Sequence, residues 1–175
     1  PTRRKADGTG EMLVNTMTGL VSLTNGEIKL EEVPVPEIGI NPFAPHDVLC
    51  EIEYCGIWGS DIHKWLDESK EGVKHPPNPV VAGHEIVSIV REIGSEVTTV
   101  QPGDRVVHEI VTFYCGYCPA CLEGRFNICN TIPPMQGRAH YVTGGGFAKY
   151  TMWSERQLHK LPDGISSREA VLIEP

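Results

Sequence analysis

A mostly-β, barrel-like domain with short helices and a metal-binding lobe is the architecture this sequence predicts. Three observations carry that prediction. Short apolar segments alternate with turn signals, helped by 18 glycines and 14 prolines, which is the spacing of barrels and sandwiches. No strand–helix alternation of the parallel-sheet kind occurs, and no G-x-G-x-x-G follows a strand, so no dinucleotide-binding unit is expected within these residues. Four of the six cysteines fall between Cys115 and Cys129, close enough in sequence to converge on one point.

Taken in order, Pro1 to Gly10 is charged and small and reads as a disordered lead-in, with the domain proper running over 11–175. Gly19 to Leu23 and Ile28 to Val33 are expected to pair through Asn25-Gly26, a strong hairpin signal, with Ile28, Leu30 and Val33 facing inward. Val48 to Tyr54 alternates with period two, which puts Val48, Cys50, Ile52 and Tyr54 on one face. Cys55 to His63 holds two glycines in a polar loop, where backbone approaches something closely. Ser60 or Asp61 is expected to cap a short helix reaching Leu66. A proline-rich link, His75 to Pro79, leads to Val80–Glu85, and Ile86 to Ile93 reads as a strand. Gln101-Pro102-Gly103-Asp104 turns the chain into a strand from Arg105 to Val111. Phe147 to Trp153 and Leu158 to Leu161 are the last strands, about eight in all. Ser166 or Ser167 caps a final helix with Glu169 in its first turn, a helix expected to be running when the chain stops.

The lobe over 113–130 has the pattern C-x-x-C-x-x-C-x7-C: Cys115, Cys118, Cys121 and Cys129. Four thiolates with no open position describe a structural zinc site. Disulfides suit secreted scaffolds, and iron–sulfur ligation also uses close cysteines, but a lone lobe of this kind between strands favours zinc. No apolar run reaches membrane-spanning length. A net charge of −8 argues against a nucleic-acid partner. The remaining cysteines, Cys50 and Cys55, favour a reducing compartment, with the cytoplasm as default. His108, Glu109 and His140 show no ligand spacing.

Leu30-Glu31-Glu32-Val33-Pro34-Val35-Pro36, the Cys-Gly-Ile-x-Gly-Ser-Asp-x-His loop from Cys55, Gly83-His84-Glu85, Gln101 to Val106 and the cysteine lobe follow one another in this order. Together they resemble the catalytic domain of zinc-containing medium-chain dehydrogenases, the alcohol, sorbitol and threonine dehydrogenases. That resemblance implies a GroES-like β-barrel, followed in the family by a Rossmann domain for NAD or NADP; the chain is therefore expected to be a piece of a longer enzyme. It also implies an alcohol or carbonyl substrate, no membrane, and a homodimer or homotetramer.

Carried over residue by residue, the resemblance implies a catalytic zinc on His84, with Glu85 as ligand or close neighbour and Glu174 at the family's Glu-Pro position. Ser60 corresponds to the relay hydroxyl, His63 to the relay imidazole and Asp61 to a carboxylate that orients the ligand histidine. The family's cysteine ligand is replaced by Trp58, whose indole N–H only donates and cannot bind zinc. Three readings follow: a zinc-dependent alcohol or polyol dehydrogenase, a reductase that has lost the catalytic zinc, and a non-catalytic zinc-stabilised barrel.

Overall fold

The computed structural model describes residues 15–23, 27–39, 44–67, 79–109, 118–129 and 145–174. The lead-in, the Asn25-Gly26 turn, most of the proline link, Ile110–Val111, Cys115 and His140 lie outside the described residues.

Eight antiparallel strands form two sheets among the described residues: β1 (Thr16–Ser22), β2 (Ile28–Pro34), β3 (Asp47–Cys55), β4 (Val80–Val81), β5 (Ile86–Ile93), β6 (Arg105–His108), β7 (Tyr150–Ser154) and β8 (Leu158–Lys160). The first sheet has the order β2-β1-β4 and the second β7-β3-β5-β6-β8. Residues 147–149 join them. The Leu20 amide donates to the Phe147 carbonyl at 2.9 Å, and the Ile52 amide donates to the Lys149 carbonyl at 2.9 Å. The sheets therefore curl about one interior as a half-barrel, and the helices are short: α1 (Gly59–Asp67), α2 (Pro119–Leu122) and α3 (Ser167–Ala170).

The core is largely valine, as β-branched residues suit a buried pleated face. Val48, Cys50, Val90, Val100, Val106 and Leu158 form one cluster; Met17, Val21, Val33 and Val81 form another. The expectation for β2 is corrected here. Val33 is fully buried, but Leu30 is 73% exposed. Leu30 pairs with Leu20 and Val33 with Met17, so period two sends Ile28 and Leu30 to the outer face of the ladder. The β3 expectation also changes. Val48, Leu49 and Cys50 are all buried while Tyr54 is exposed, because irregularities at Leu49/Cys50 and Ile52/Tyr54 interrupt the alternation against β5.

Two long-range polar anchors tie the strands together. Glu155 is buried and accepts from the Thr98 amide (2.8 Å), the Thr99 amide (3.0 Å), the Thr99 hydroxyl (2.9 Å) and pairs with His46 Nδ1 (2.8 Å). Burial alone would raise its pKa; the Thr98 amide, His46 and Thr99 override that and bring it to about 2. His108 on β6 is buried against Ser88 Oγ at 2.6 Å and meets Trp153 edge-on. Burial drives its pKa down to about 3.

At the C-terminal side, Ser166 and Glu169 form a reciprocal capping box. The helix it starts is one turn long and ends at Ala170, so it is complete rather than still running. Arg105 reaches over from β6 to the Ile165 carbonyl at 2.8 Å and the Ser167 hydroxyl at 3.2 Å, which fixes the segment that carries Glu174.

Candidate metal and active site

The lobe and the Gly83-His84-Glu85 loop are both built by turns. In the lobe, Cys118 sits at the N-cap of α2 in extended backbone, Pro119 opens the helix, and Gly124 turns at φ +77°. The Arg125 amide donates to the Ala120 carbonyl at 2.8 Å, and the Cys129 amide to the Phe126 carbonyl at 3.0 Å. These bonds fold Cys129 back onto the helix. The sulfurs of Cys118, Cys121 and Cys129 lie within 4.8 Å of one another, all buried, and Cys118 and Cys129 are 3.9 Å apart. A disulfide would need about 2.05 Å. Zinc with Zn–S near 2.3 Å gives a tetrahedron edge of about 3.8 Å. The three described thiols fit a zinc ion; Cys115, the fourth of the motif, lies outside the described residues.

At the second cluster, Gly83 adopts φ +88°, and a Cβ there would meet Cys55 Sγ and the Phe147 ring at 2.9 Å. The turn delivers His84 and Glu85 together. The Gly56 amide donates to the Glu85 carbonyl at 2.9 Å, and a Cβ on Gly56 would fall 1.9 Å from Glu85 Oε2. Glycine at 56 therefore makes the space that the carboxylate occupies. Donor atoms of His84, Glu85 and Glu174 lie within 4.8 Å of one another. Glu85 is buried and its Oε1 has no hydrogen-bond partner, a costly arrangement unless a cation or donor answers it. One imidazole and two carboxylates are a donor set that suits zinc, so these residues fit the ion.

The loop that carries the remaining predicted residues differs in one respect from the sequence expectation. Trp58 stands at the N-cap position of α1: its carbonyl accepts from the Asp61 amide at 3.0 Å and the Ile62 amide at 3.3 Å. Asp61 is three residues further on, and its Oδ2 accepts from the Trp58 amide at 3.0 Å. Asp61 thus supplies the returning half of a capping box, and neither Ser60 nor Asp61 is the N-cap. Its other oxygen, Oδ1, is buried without a partner. Ser60 is half-buried and His63 exposed on α1.

Trp58 is 49% exposed, so the indole stands at the surface. Cys55 is no substitute ligand: its sulfur fills the space left by Gly83 and Gly146, whose Cβ positions lie 2.9 and 2.3 Å from it. Burial, then Asp61 and Glu85, push its thiol up to about 12, which keeps it protonated.

Asp47 was not singled out by sequence. It is fully buried with both carboxylate oxygens unpartnered, and burial raises its pKa to about 6 against the opposing effect of His46. Glu155 and the Ser88–His108 pair were also missed, because their partners are far away in sequence.

D-xylulose reductase A of Aspergillus niger is 36% identical over 148 residues, covering 85% of this chain and 39% of that protein. Galactitol-1-phosphate dehydrogenase from Escherichia coli superposes with a TM-score of 0.69 at 26% identity, over 90% of this chain and 42% of that one. A Sinorhizobium meliloti 1021 protein described as a zinc-binding dehydrogenase, bound to NADP, gives a TM-score of 0.65 at 31% identity, over 87% and 40%. The chain spans about two fifths of the length of these relatives. The profile of the alcohol dehydrogenase GroES-like domain matches residues 44–163, and the chain belongs to that family.

Proposed function

We propose that the chain is the metal-binding, substrate-binding portion of a zinc-type oxidoreductase that interconverts an alcohol and its carbonyl compound with NAD or NADP. The observation that carries this reading is the convergence of His84, Glu85 and Glu174 within 4.8 Å, combined with the buried, unanswered oxygen of Glu85. His84, Glu85 and Glu174 would hold a catalytic zinc, and Cys115, Cys118, Cys121 and Cys129 a structural one. A zinc in the first site supplies a Lewis acid that polarises the alcohol or carbonyl oxygen. Ser60 and His63, in the N-terminal half of α1, would pass the proton to solvent, and the exposure of His63 suits the outer end of such a relay. Asp61 holds the N-terminus of α1 through the Trp58 amide, which fixes the relay residues relative to the strand before them. Nicotinamide binding belongs to sequence beyond these residues. A homodimer or homotetramer in the cytoplasm is the corresponding assembly, and Cys50 and Cys55, neither in a disulfide, accord with a reducing compartment.

Trp58 favours a second reading. With an indole at the family's cysteine position, the enzyme would be a reductase without catalytic zinc, and Ser60 or His63 would donate the proton directly. Elemental analysis of protein purified without chelator separates the readings. About two zinc ions per chain supports the first and about one supports the second, because an all-cysteine site fills regardless of Trp58. Trp58→Cys is expected to tighten zinc at the His84 cluster; unchanged zinc affinity there would refute a site that lacks only its thiolate.

A further inference from the structure

A cleft of about 500 Å³ opens between α1 and the outer face of the β1–β2 ladder. That volume lies in the range that takes small molecules. Leu20 and Leu30 form its sheet wall; Ile57, Ile62 and Trp65 form its helix wall; Phe147 closes one end. Leu30, Ile57 and Trp65 are 73%, 71% and 66% exposed, so large apolar groups line the mouth and face water, which marks a binding surface. Only two side chains of the lining can hydrogen-bond, Ser22 and Asp61 (the indole of Trp65 apart). Asp61 is 8% exposed, so it lies at the floor, and its Oδ1 has no partner.

The cleft is continuous with the candidate metal loop. Ala82 lines it two residues before His84, and the Phe147 ring fills the space above Gly83. Cys55 Sγ and the Phe147 ring both lie 2.9 Å from where a Cβ on Gly83 would stand, so the end of the cleft and the metal loop share one neighbourhood.

We propose that this cleft receives a hydrophobic body attached to the reacting carbon, so that the substrate is an alicyclic or aryl alcohol rather than a polyol. The assignment of a reacting carbon rests on the dehydrogenase reading above. A polyol brings several hydroxyls, each of which loses water on entry. The cleft answers few of them, and unpaired hydroxyls in an apolar site weaken binding steeply. A hydrocarbon ring gains from every contact the polyol wastes.

The test titrates the 175-residue chain, zinc-loaded and zinc-stripped in parallel, with menthol and with xylitol, read by tryptophan fluorescence. Menthol is expected to saturate the signal and to bind at least about tenfold more tightly than xylitol. Trp65→Phe should remove most of the response, and Leu30→Glu should weaken menthol about tenfold; Leu30 is exposed, so that variant keeps its fold, as circular dichroism will verify. Xylitol binding as tightly as menthol, menthol failing to saturate, or Leu30→Glu binding like the parent would each overturn the proposal. Menthol bound by a chain with one zinc leaves the apolar cleft standing and removes the zinc-dependent reading. Two zincs without menthol binding do the reverse.

Discussion

Replacing Glu155 by Gln removes a charge while preserving the shape of the side chain, and the structure sets the size of the effect. Oε2 accepts three hydrogen bonds from Thr98 and Thr99, and Oε1 pairs with His46. A carboxyl that titrates near 4.5 when unfolded and at about 2 when folded contributes about 3 kcal/mol at neutral pH. The folded value is the lower one, so this contribution is complete above about pH 4.5 and drains away as pH falls toward 2. At pH 3 less than half of it remains. Glu155→Gln should therefore lose about 3 kcal/mol at pH 7, a fall in melting temperature of roughly 6–12 °C, and about half that or less at pH 3. Thermal unfolding followed by circular dichroism at both pH values measures it. An equal loss at pH 3 and pH 7 would show that shape, not charge, makes Glu155 matter, and the electrostatic argument would fail.

Gly56→Ala drives a methyl into Glu85 Oε2; it should cost about 1–3 kcal/mol and abolish zinc at the His84 cluster while leaving the cysteine lobe filled, as metal analysis would show. Cys118→Ser should release the lobe's zinc and lower thermal stability, since structural zinc contributes directly to folding; full zinc retention would contradict the lobe assignment. His108 resists protonation when folded, at about 3 against 6.5 when unfolded, so stability should fall as pH drops below about 6.5, by up to about 1.4 kcal/mol per pH unit. His108→Leu should flatten that slope in urea titrations at a series of pH values, even if its absolute stability is lower.

Much of the architecture was legible because local chemistry announced it. Of the two loop glycines read as close-approach positions, Gly56 meets Glu85 while Gly59 has open space beside it; Gly83, against Cys55 and Phe147, was not read that way. A serine cap with Glu169 in the first turn was expected at Ser166 or Ser167, and the structure selects Ser166 and makes the pair a capping box. The cysteine spacing implied convergence, which three sulfurs show. What sequence could not show was paired across distance. Nothing near Glu155 in sequence signals Thr98 or His46. Apolar Leu30 and Tyr54 read as core, yet face outward, one through ladder register and the other through strand irregularity. Trp58 was visible as a departure, but its place as the N-cap of α1 depends on which residue begins the helix, and boundaries of that kind follow from the folded turn.

The β1–β2 ladder divides its labour by parity. Odd-numbered Met17, Val21 and Val33 face the interior, whereas even-numbered Leu20, Ser22, Ile28 and Leu30 wall the cleft. The two sets lie on opposite faces of one hydrogen-bonded ladder. Variation at even positions can therefore reshape what the cleft accepts while the odd positions keep the sheet folded. A one-residue slip would exchange the sets and ruin both at once. Ligand preference in this hairpin can drift freely in residue type, but its alignment cannot drift at all.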